Sequence, residues 1–176
     1  MKTDTLSNLN TLQLLEYYEA IMEELNTRKV LSTFNNPVSG YAEYLACKVL
    51  NLTQAKNSEK GFDAIDKNLV RYQIKSRRIG SGRTPNRLGV IRNIEEHNFD
   101  YLIAIIFESN FQVKFAIQMP FELVKRKAKF NDHTNGWILR ARESSLRDVS
   151  SLELTSQFMR YQAEEQKQIA NCINEL

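Results

Sequence analysis

Residues 61–78 read GFDAIDKNLVRYQIKSRR, and this stretch decides which fold the chain is expected to adopt. Residues 61–66 and 70–77 each have the composition of a strand, and the polar pair Lys67-Asn68 between them is typical of a tight turn. The stretch therefore predicts a β-hairpin. Its second strand leads into residues 79–86, IGSGRTPN, which read as a basic loop because glycine, serine and proline interrupt regular structure.

The length of the turn decides which side chains share a face of the hairpin. If residues 67–69 form a three-residue loop, Asp63 lies opposite Gln73 and both side chains point to one face. A two-residue loop would send the Gln73 side chain to the other face. Because Asn68 suits the left-handed conformation that three-residue hairpin loops use, the sequence favours the longer loop.

The hairpin carries three side chains suited to chemistry on a phosphodiester. A divalent cation would activate water and neutralise charge on the phosphate, and such a cation needs hard oxygen ligands. Asp63 offers a carboxylate and Gln73 an amide oxygen. Lys75 follows Gln73 by two residues, so its ammonium group projects from the same face and is suited to assist the attacking water or the transition state.

Glu43 is a further candidate ligand, in a predicted helix that begins near Ser39 and ends near Leu50. The residues three, four and seven positions further on are apolar, so the carboxylate lies on or beside an apolar stripe of that helix. A carboxylate in such a place needs a compensating positive charge. A metal ion and a basic residue of the hairpin would each supply one, and the sequence leaves both interpretations open.

The charge of the chain is unevenly distributed. Residues 67–94 hold eight of the 24 basic residues and none of the 21 acidic ones, although the whole chain has a formal charge of only +3. A basic segment on an acidic body indicates a surface for a polyanion, and arginine favours phosphate contacts. A solvated surface strand and loop is the alternative interpretation. The predicted DNA-binding residues are Arg71, Arg77, Arg78, Arg83, Arg87 and Arg92.

The remaining pattern predicts an α/β (α+β) fold, in which a mixed sheet is covered by helices on both faces. Besides residues 39–50 and the hairpin, the periodicity predicts further helices and strands. The helices are expected at residues 6–29, 120–130 and 150–176, and the strands at residues 101–107, 111–118 and 137–142.

Length and composition support a single domain of residues 1–176. Within it we expect an N-terminal helix in residues 1–34, a core in residues 35–145 and a C-terminal helix in residues 150–176. The longest apolar run is too short to cross a bilayer and the N-terminus lacks a signal-peptide pattern, so we expect a cytoplasmic protein without a membrane partner. Two cysteines and two histidines are too few for a disulfide framework or a structural zinc site.

Together these residues resemble the PD-(D/E)xK nuclease superfamily, in particular its Mrr-like restriction endonuclease branch. The likeness rests on Glu43 in a helix, Asp63 in a first strand and the Gln73-x-Lys75 pattern in the next strand. It is tight over residues 39–78. Gln73 stands where many members of the superfamily have a carboxylate, which leaves one negative charge fewer at the metal and implies a weaker site.

The resemblance implies a restriction-endonuclease-like core, namely a mixed four- to five-stranded sheet flanked by helices, with additional N- and C-terminal helices. It also implies hydrolysis of DNA phosphodiester bonds, of the restriction or repair type, with Mg²⁺ or with Mn²⁺ as its substitute. In that scheme Asp63, Gln73 and Glu43 hold the metal, and Lys75 is the catalytic lysine. Double-stranded DNA is the expected partner, and a homodimer is the simplest way to cut both strands.

Two other functions stay open from the sequence. A catalytically weak or inactive DNA-binding module on the same fold would use the basic segment for affinity. A structural assembly subunit would recruit a partner through its terminal helices, with contacts at Leu154, Phe158 and Ile169.

Overall fold

The computed structural model describes residues 6–56, 61–80 and 87–174, with side chains through residue 167. The helices in these parts of the chain are α1 (Thr11–Thr27), α2 (Pro37–Leu50), α3 (Phe121–Lys127), α4 (Glu143–Leu146) and α5 (Thr155–Asn174). The strands are β1 (Thr53–Gln54), β2 (Ala64–Ile65), β3 (Arg71–Arg78), β4 (Tyr101–Phe107), β5 (Val113–Pro120), β6 (Lys129–Asn131), β7 (Gly136–Ile138) and β8 (Leu152–Glu153). The α/β (α+β) class predicted from the sequence is confirmed.

A six-stranded sheet in the order β1-β2-β3-β4-β5-β8 forms the centre of the fold. Strands β3 and β4 are parallel, and the other neighbouring strands are antiparallel, so the sheet is mixed as predicted. It has six strands rather than four to five. The two outermost strands, β1 and β8, contain two residues each, and runs this short leave no periodic pattern in the sequence.

The main sheet is buried on both faces, which explains the continuous apolar run of β4. Residues 102–107 of that strand are all fully buried. Helices α2 and α5 cover one face, where Leu45 and Phe158 are each 0% exposed. The other face packs against α3, α4 and the segment of residues 88–99. Helices therefore lie on both faces of the sheet, as the sequence predicts.

Residues 128–142 differ from the prediction. Helix α3 ends at Lys127 instead of continuing to residue 130, and the next residues form β6. The strand predicted at residues 137–142 ends at Ile138, and it pairs with β6 in a separate two-stranded sheet. Tertiary pairing overrides helix propensity here, because Phe130 packs edge-to-face on Trp137 with ring centroids 5.6 Å apart.

Helix α2 begins two residues before the predicted start at Ser39. Asn36 caps it instead, since its side chain accepts a hydrogen bond from the Val38 N–H at 3.1 Å. Pro37 occupies the first turn, where a missing N–H costs nothing. The helix then runs across the sheet on the side that carries Ala64 and Ile74. Glu43 lies in its middle.

Helix α5 completes the core of the same chain. It begins at Thr155 rather than at residue 150, because residues 152–153 join the sheet as β8. Leu154 and Phe158 are 2% and 0% exposed, so the prediction that they contact a partner is wrong. The side chain of Ile169 lies outside the described part. Among the described residues, none of the helices is long and apolar enough to cross a membrane.

Truncating Phe158 tests the packing of α5. We expect Phe158→Ala to lower the free energy of unfolding by about 3–5 kcal/mol, because it leaves a cavity under the sheet. Its neighbour Met159 is 46% exposed, so Met159→Ala should cost less than about 0.5 kcal/mol. Urea denaturation measures both. Equal losses in the two variants would contradict the packing described here.

Candidate metal centre

The hairpin of residues 61–78 has the predicted register. Ala64 pairs with Tyr72 in the antiparallel ladder, which leaves residues 67–69 as the loop and sets Asp63 opposite Gln73. The three-residue loop predicted from the sequence is therefore confirmed, and Asp63 and Gln73 share a face of the hairpin.

The turn itself uses different residues from those predicted. Leu69, the third residue of the loop, has the left-handed conformation with φ 62°, so the assignment of that conformation to Asn68 is wrong. Asp66 holds the turn closed. Its Oδ1 accepts hydrogen bonds from the Asn68 N–H at 2.8 Å and the Val70 N–H at 2.9 Å. A carboxylate that bridges two backbone amides makes the left-handed leucine tolerable.

Asp63 joins the hairpin through both its backbone and its side chain. Its N–H donates to the Tyr72 carbonyl at 2.8 Å, and its Oδ2 accepts the Ile74 N–H at 2.6 Å. The same Oδ2 accepts a hydrogen bond from Nε2 of Gln73. Among the described residues, no hydrogen bond reaches the other carboxylate oxygen, Oδ1. The hairpin thus fixes the Asp63 carboxylate and leaves one of its oxygens available for a cation.

Gln73 is the one polar or charged residue that is buried in the described part of the chain, with 7% of its surface exposed. Its amide NH₂ group faces Asp63, which is the arrangement expected beside a carboxylate without a cation. Rotation of the amide by half a turn brings Oε1 to the same position. Gln73 therefore serves as a hydrogen-bond donor to Asp63, and that rotation would turn its amide oxygen toward Asp63.

Glu43 approaches Asp63 from helix α2. It is half-buried, and its Oε2 accepts a hydrogen bond from Nε2 of Gln54 at 3.2 Å. Burial raises the pKa of the Glu43 carboxyl above its usual value, and the negative charge of Asp63 raises it further. Lys75 lowers this pKa, but its effect is the smallest of the four. The hairpin lysine therefore compensates the Glu43 charge only in part.

Glu43 and Asp63 line the same open cavity, which has a volume of about 490 Å³ and lies between the first turns of α2 and the strand β1. No group of three His, Cys, Asp or Glu side chains within the described ranges is arranged to hold a metal ion. The candidate oxygen donors are therefore these two carboxylates, which line the cavity, and the amide oxygen of Gln73, which contacts Asp63 but does not line the cavity. These hard oxygen donors fit Mg²⁺, which keeps several of its waters and needs few protein ligands.

Lys75 lies on the same face of β3 as Gln73, two residues further along the strand. Its side chain runs beside Gly89, because a Cβ atom at that glycine would lie 3.6 Å from Cδ of Lys75. Segment 87–91 therefore flanks the lysine. The positive charge of Lys75 acts on Glu43, whose pKa it lowers.

The arginines predicted to contact DNA are distributed over several surfaces. Arg77 and Arg78 are neighbours on β3 and project to opposite faces of the sheet. Arg78 stacks on the Phe111 ring, with its guanidinium carbon 4.7 Å from the ring centroid. Arg87 and Arg92 are exposed, and Arg83 lies outside the described residues.

Arg71 is held by Asp100, a residue that the sequence did not single out. The guanidinium lies 2.9 Å from Oδ1 of Asp100, and Oδ2 accepts the Arg71 N–H at 2.8 Å. Gln54, the hydrogen-bond donor to Glu43, was also missed. It lies in a two-residue strand that carries no sequence signal.

The Arg71–Asp100 pair makes the stability depend on pH. The hydrogen bond from Arg71 lowers the pKa of Asp100 below its usual value, and burial opposes this effect. The ionised carboxylate therefore stabilises the folded chain above an unfolded-state pKa of about 3.9, and this stability is lost as the pH falls through the lowered value.

We expect Asp100→Asn to lower the free energy of unfolding at pH 7 by about 0.5–1 kcal/mol, since the pair is partly exposed. The deficit should shrink as the pH falls below about 4. Chemical denaturation across pH measures this, with Asp132→Asn, at an exposed position, as the control. A deficit that stays constant to low pH would contradict the assignment.

No protein-family model matches this chain, and a search of curated proteins finds no match. The geometry of Asp63, Gln73, Glu43 and Lys75 is what carries the functional proposal.

Proposed function

We propose that the protein is a metal-dependent endonuclease that hydrolyses DNA phosphodiester bonds, of the restriction or repair type. The observation that supports this proposal best is the contact between Asp63 and Gln73 beside a cavity that Glu43 also lines. Burial and the negative charge of Asp63 raise the pKa of the Glu43 carboxyl, and a divalent cation beside the two carboxylates would offset both effects. The same arrangement is costly in a chain that binds no cation there.

The proposal gives each residue a distinct role. Asp63, Glu43 and the rotated Gln73 amide would hold Mg²⁺ or Mn²⁺, which lowers the pKa of water and neutralises charge on the phosphate. The Ile74 N–H keeps the Asp63 carboxylate in place through its 2.6 Å hydrogen bond. The ammonium group of Lys75 donates to the attacking water or to a phosphate oxygen, where negative charge develops.

A restriction-endonuclease-like core is part of the same proposal. Its support is the order of elements, in which helix α2 precedes the hairpin β2–β3 and β3 then pairs in parallel with β4. A double-stranded DNA substrate and a cytoplasmic location also belong to the proposal. So does a homodimer, because two centres related by a two-fold axis match the two strands of a duplex.

A DNA-binding module that does not cut is the second candidate. It is favoured by Gln73 itself, because the amide supplies one negative charge fewer than a carboxylate and donates to Asp63. This candidate predicts binding that weakens as salt rises, with no cleavage at any Mg²⁺ concentration.

DNA cleavage by variants of the candidate metal centre tests the proposed nuclease activity. With Mg²⁺ and plasmid DNA, we expect Asp63→Asn and Lys75→Met each to lower the rate at least about 100-fold, the scale reported for losing one group that stabilises a transition state. Lys67→Met is the matched control, since Lys67 is an exposed lysine in the turn of the same hairpin. Gel electrophoresis measures nicked and linear products.

Unchanged cleavage in the Asp63 and Lys75 variants would reject the assignment of these residues to the active centre. DNA binding by the wild-type chain without any cleavage would favour the second candidate.

The substitution Gln73→Glu tests whether the amide at this position lowers the affinity of the site for a divalent cation. Without divalent metal, the new carboxylate faces Asp63, so we expect a lower melting temperature than in the wild-type chain. Mg²⁺ should then stabilise this variant by roughly 1–3 kcal/mol relative to its metal-free form when the ion exceeds its dissociation constant about 10- to 100-fold, and it should stabilise the wild-type chain less. Thermal denaturation measures both effects, with Gln157→Glu on the exposed face of α5 as the control. An equal Mg²⁺ response in all three proteins would contradict the ligand set.

A further inference from the structure

A second cleft, with a volume of about 550 Å³, shares no lining residue with the candidate metal centre. It lies between the end of α3, the β6–β7 pair and the segment that follows residue 86. Its lining contains four basic side chains and no acidic one. The basic residues are Arg87, Lys127, Lys129 and Arg140. Only Arg87 belongs to the basic segment seen in the sequence, so the fold assembles this cluster from distant positions.

Two arginines of the cleft are neighbours across paired backbones. The Leu88 N–H donates to the Leu139 carbonyl at 3.0 Å, and both leucines are buried. The adjacent residues Arg87 and Arg140 therefore point outward, side by side, and both are exposed. Like charges in this arrangement repel each other. Within the described ranges neither arginine has an ion pair, so both charges are available to an anion from outside.

The two lysines of the cleft differ in how far their ammonium groups are available to a ligand. Nζ of Lys127 donates to the carbonyls of Ser145 at 3.1 Å and Arg147 at 2.8 Å, and it lies 3.8 Å from Asp148. Its charge is therefore largely satisfied. Lys129 is exposed on β6 and has no ion pair in the part of the chain that the structure describes. Three cations thus remain available for a ligand.

Phe130 adds an aromatic surface to the same cleft. Its side chain is 49% exposed, although the edge-to-face contact with Trp137 holds the ring in place. A fixed, half-exposed ring among available cations is typical of sites for single-stranded nucleic acid, where bases stack on aromatic side chains and cations follow the backbone. A small anion would use the cations but would gain nothing from the ring.

We propose that this cleft binds an unpaired nucleic-acid strand, with phosphates at Arg87, Lys129 and Arg140 and one base stacked on Phe130. The proposal goes beyond the nuclease, because binding here requires neither a metal nor cleavage. Segment 87–91 connects the two sites, since it carries Arg87 at the cleft and passes Lys75 at Gly89.

The test is binding of a fluorescent single-stranded oligonucleotide without divalent metal, measured by anisotropy across NaCl concentrations. We expect Lys129→Ala and Arg140→Ala each to reduce the slope of log K against log[NaCl] by about 0.7, the value for one lost phosphate contact on a single strand. Arg160→Ala, at an exposed arginine of α5, is the matched control and should leave the slope unchanged. Circular dichroism verifies that each variant is folded.

The ring is tested with Phe130→Leu, which keeps an apolar side chain. We expect about fivefold or greater loss of affinity for the single strand and little change for a duplex of the same sequence, because only an unpaired base stacks. Competition with inorganic phosphate and a mononucleotide distinguishes a small-anion site.

Full competition by either small molecule at the concentration of the oligonucleotide would overturn the proposal. So would wild-type affinity in the Lys129, Arg140 and Phe130 variants, or an equal slope change in Arg160→Ala. If the chain binds single strands through the cleft but never cuts DNA, only the proposed nuclease function is refuted. If the chain cuts DNA and the cleft substitutions leave its binding unchanged, only the proposed strand-binding site is refuted.

Discussion

The hydrogen bond from the Ile74 N–H to the Asp63 carboxylate is the constraint on which the site depends. Strand β2 contains only two residues, and beyond it the Asp63 side chain, rather than a main-chain carbonyl, accepts the next amide of β3. This bond fixes the carboxylate against Gln73 and holds the hairpin in its register. A slip of one residue would turn Gln73 to the opposite face and separate the two groups.

In the proposed metal site, residue 73 balances affinity for the cation against the stability of the metal-free chain. A carboxylate at position 73 would repel Asp63, whereas the amide donates a hydrogen bond to it. Glu43 is different, because burial and the negative charge of Asp63 raise the pKa of its carboxyl. The glutamine thus stabilises the folded chain without a cation and weakens the attraction for one. Lys75 supplies a positive charge that offsets only part of the carboxylate charge.

The sequence predicted the parts of the fold that local patterns encode. The apolar run of β4 has the predicted bounds, because a strand buried on both faces needs a continuous apolar stretch. The register of the hairpin followed from the length of its loop. The edge strands β1 and β8 were missed, since two residues carry no period. The cationic cleft was also missed, because Arg87 and Arg140 are 53 positions apart and meet only through the Leu88–Leu139 pairing.

The central claim is that Asp63, Gln73 and Glu43 form a binding site for a divalent cation, and anomalous diffraction from crystals soaked in Mn²⁺ tests it most directly. The account predicts a single strong anomalous peak among these three side chains, with the Gln73 amide rotated so that its oxygen faces the ion. Crystals of Asp63→Asn should lack that peak. An unchanged Asp63–Gln73 hydrogen bond, with no anomalous density in the cavity at saturating Mn²⁺, would contradict the account.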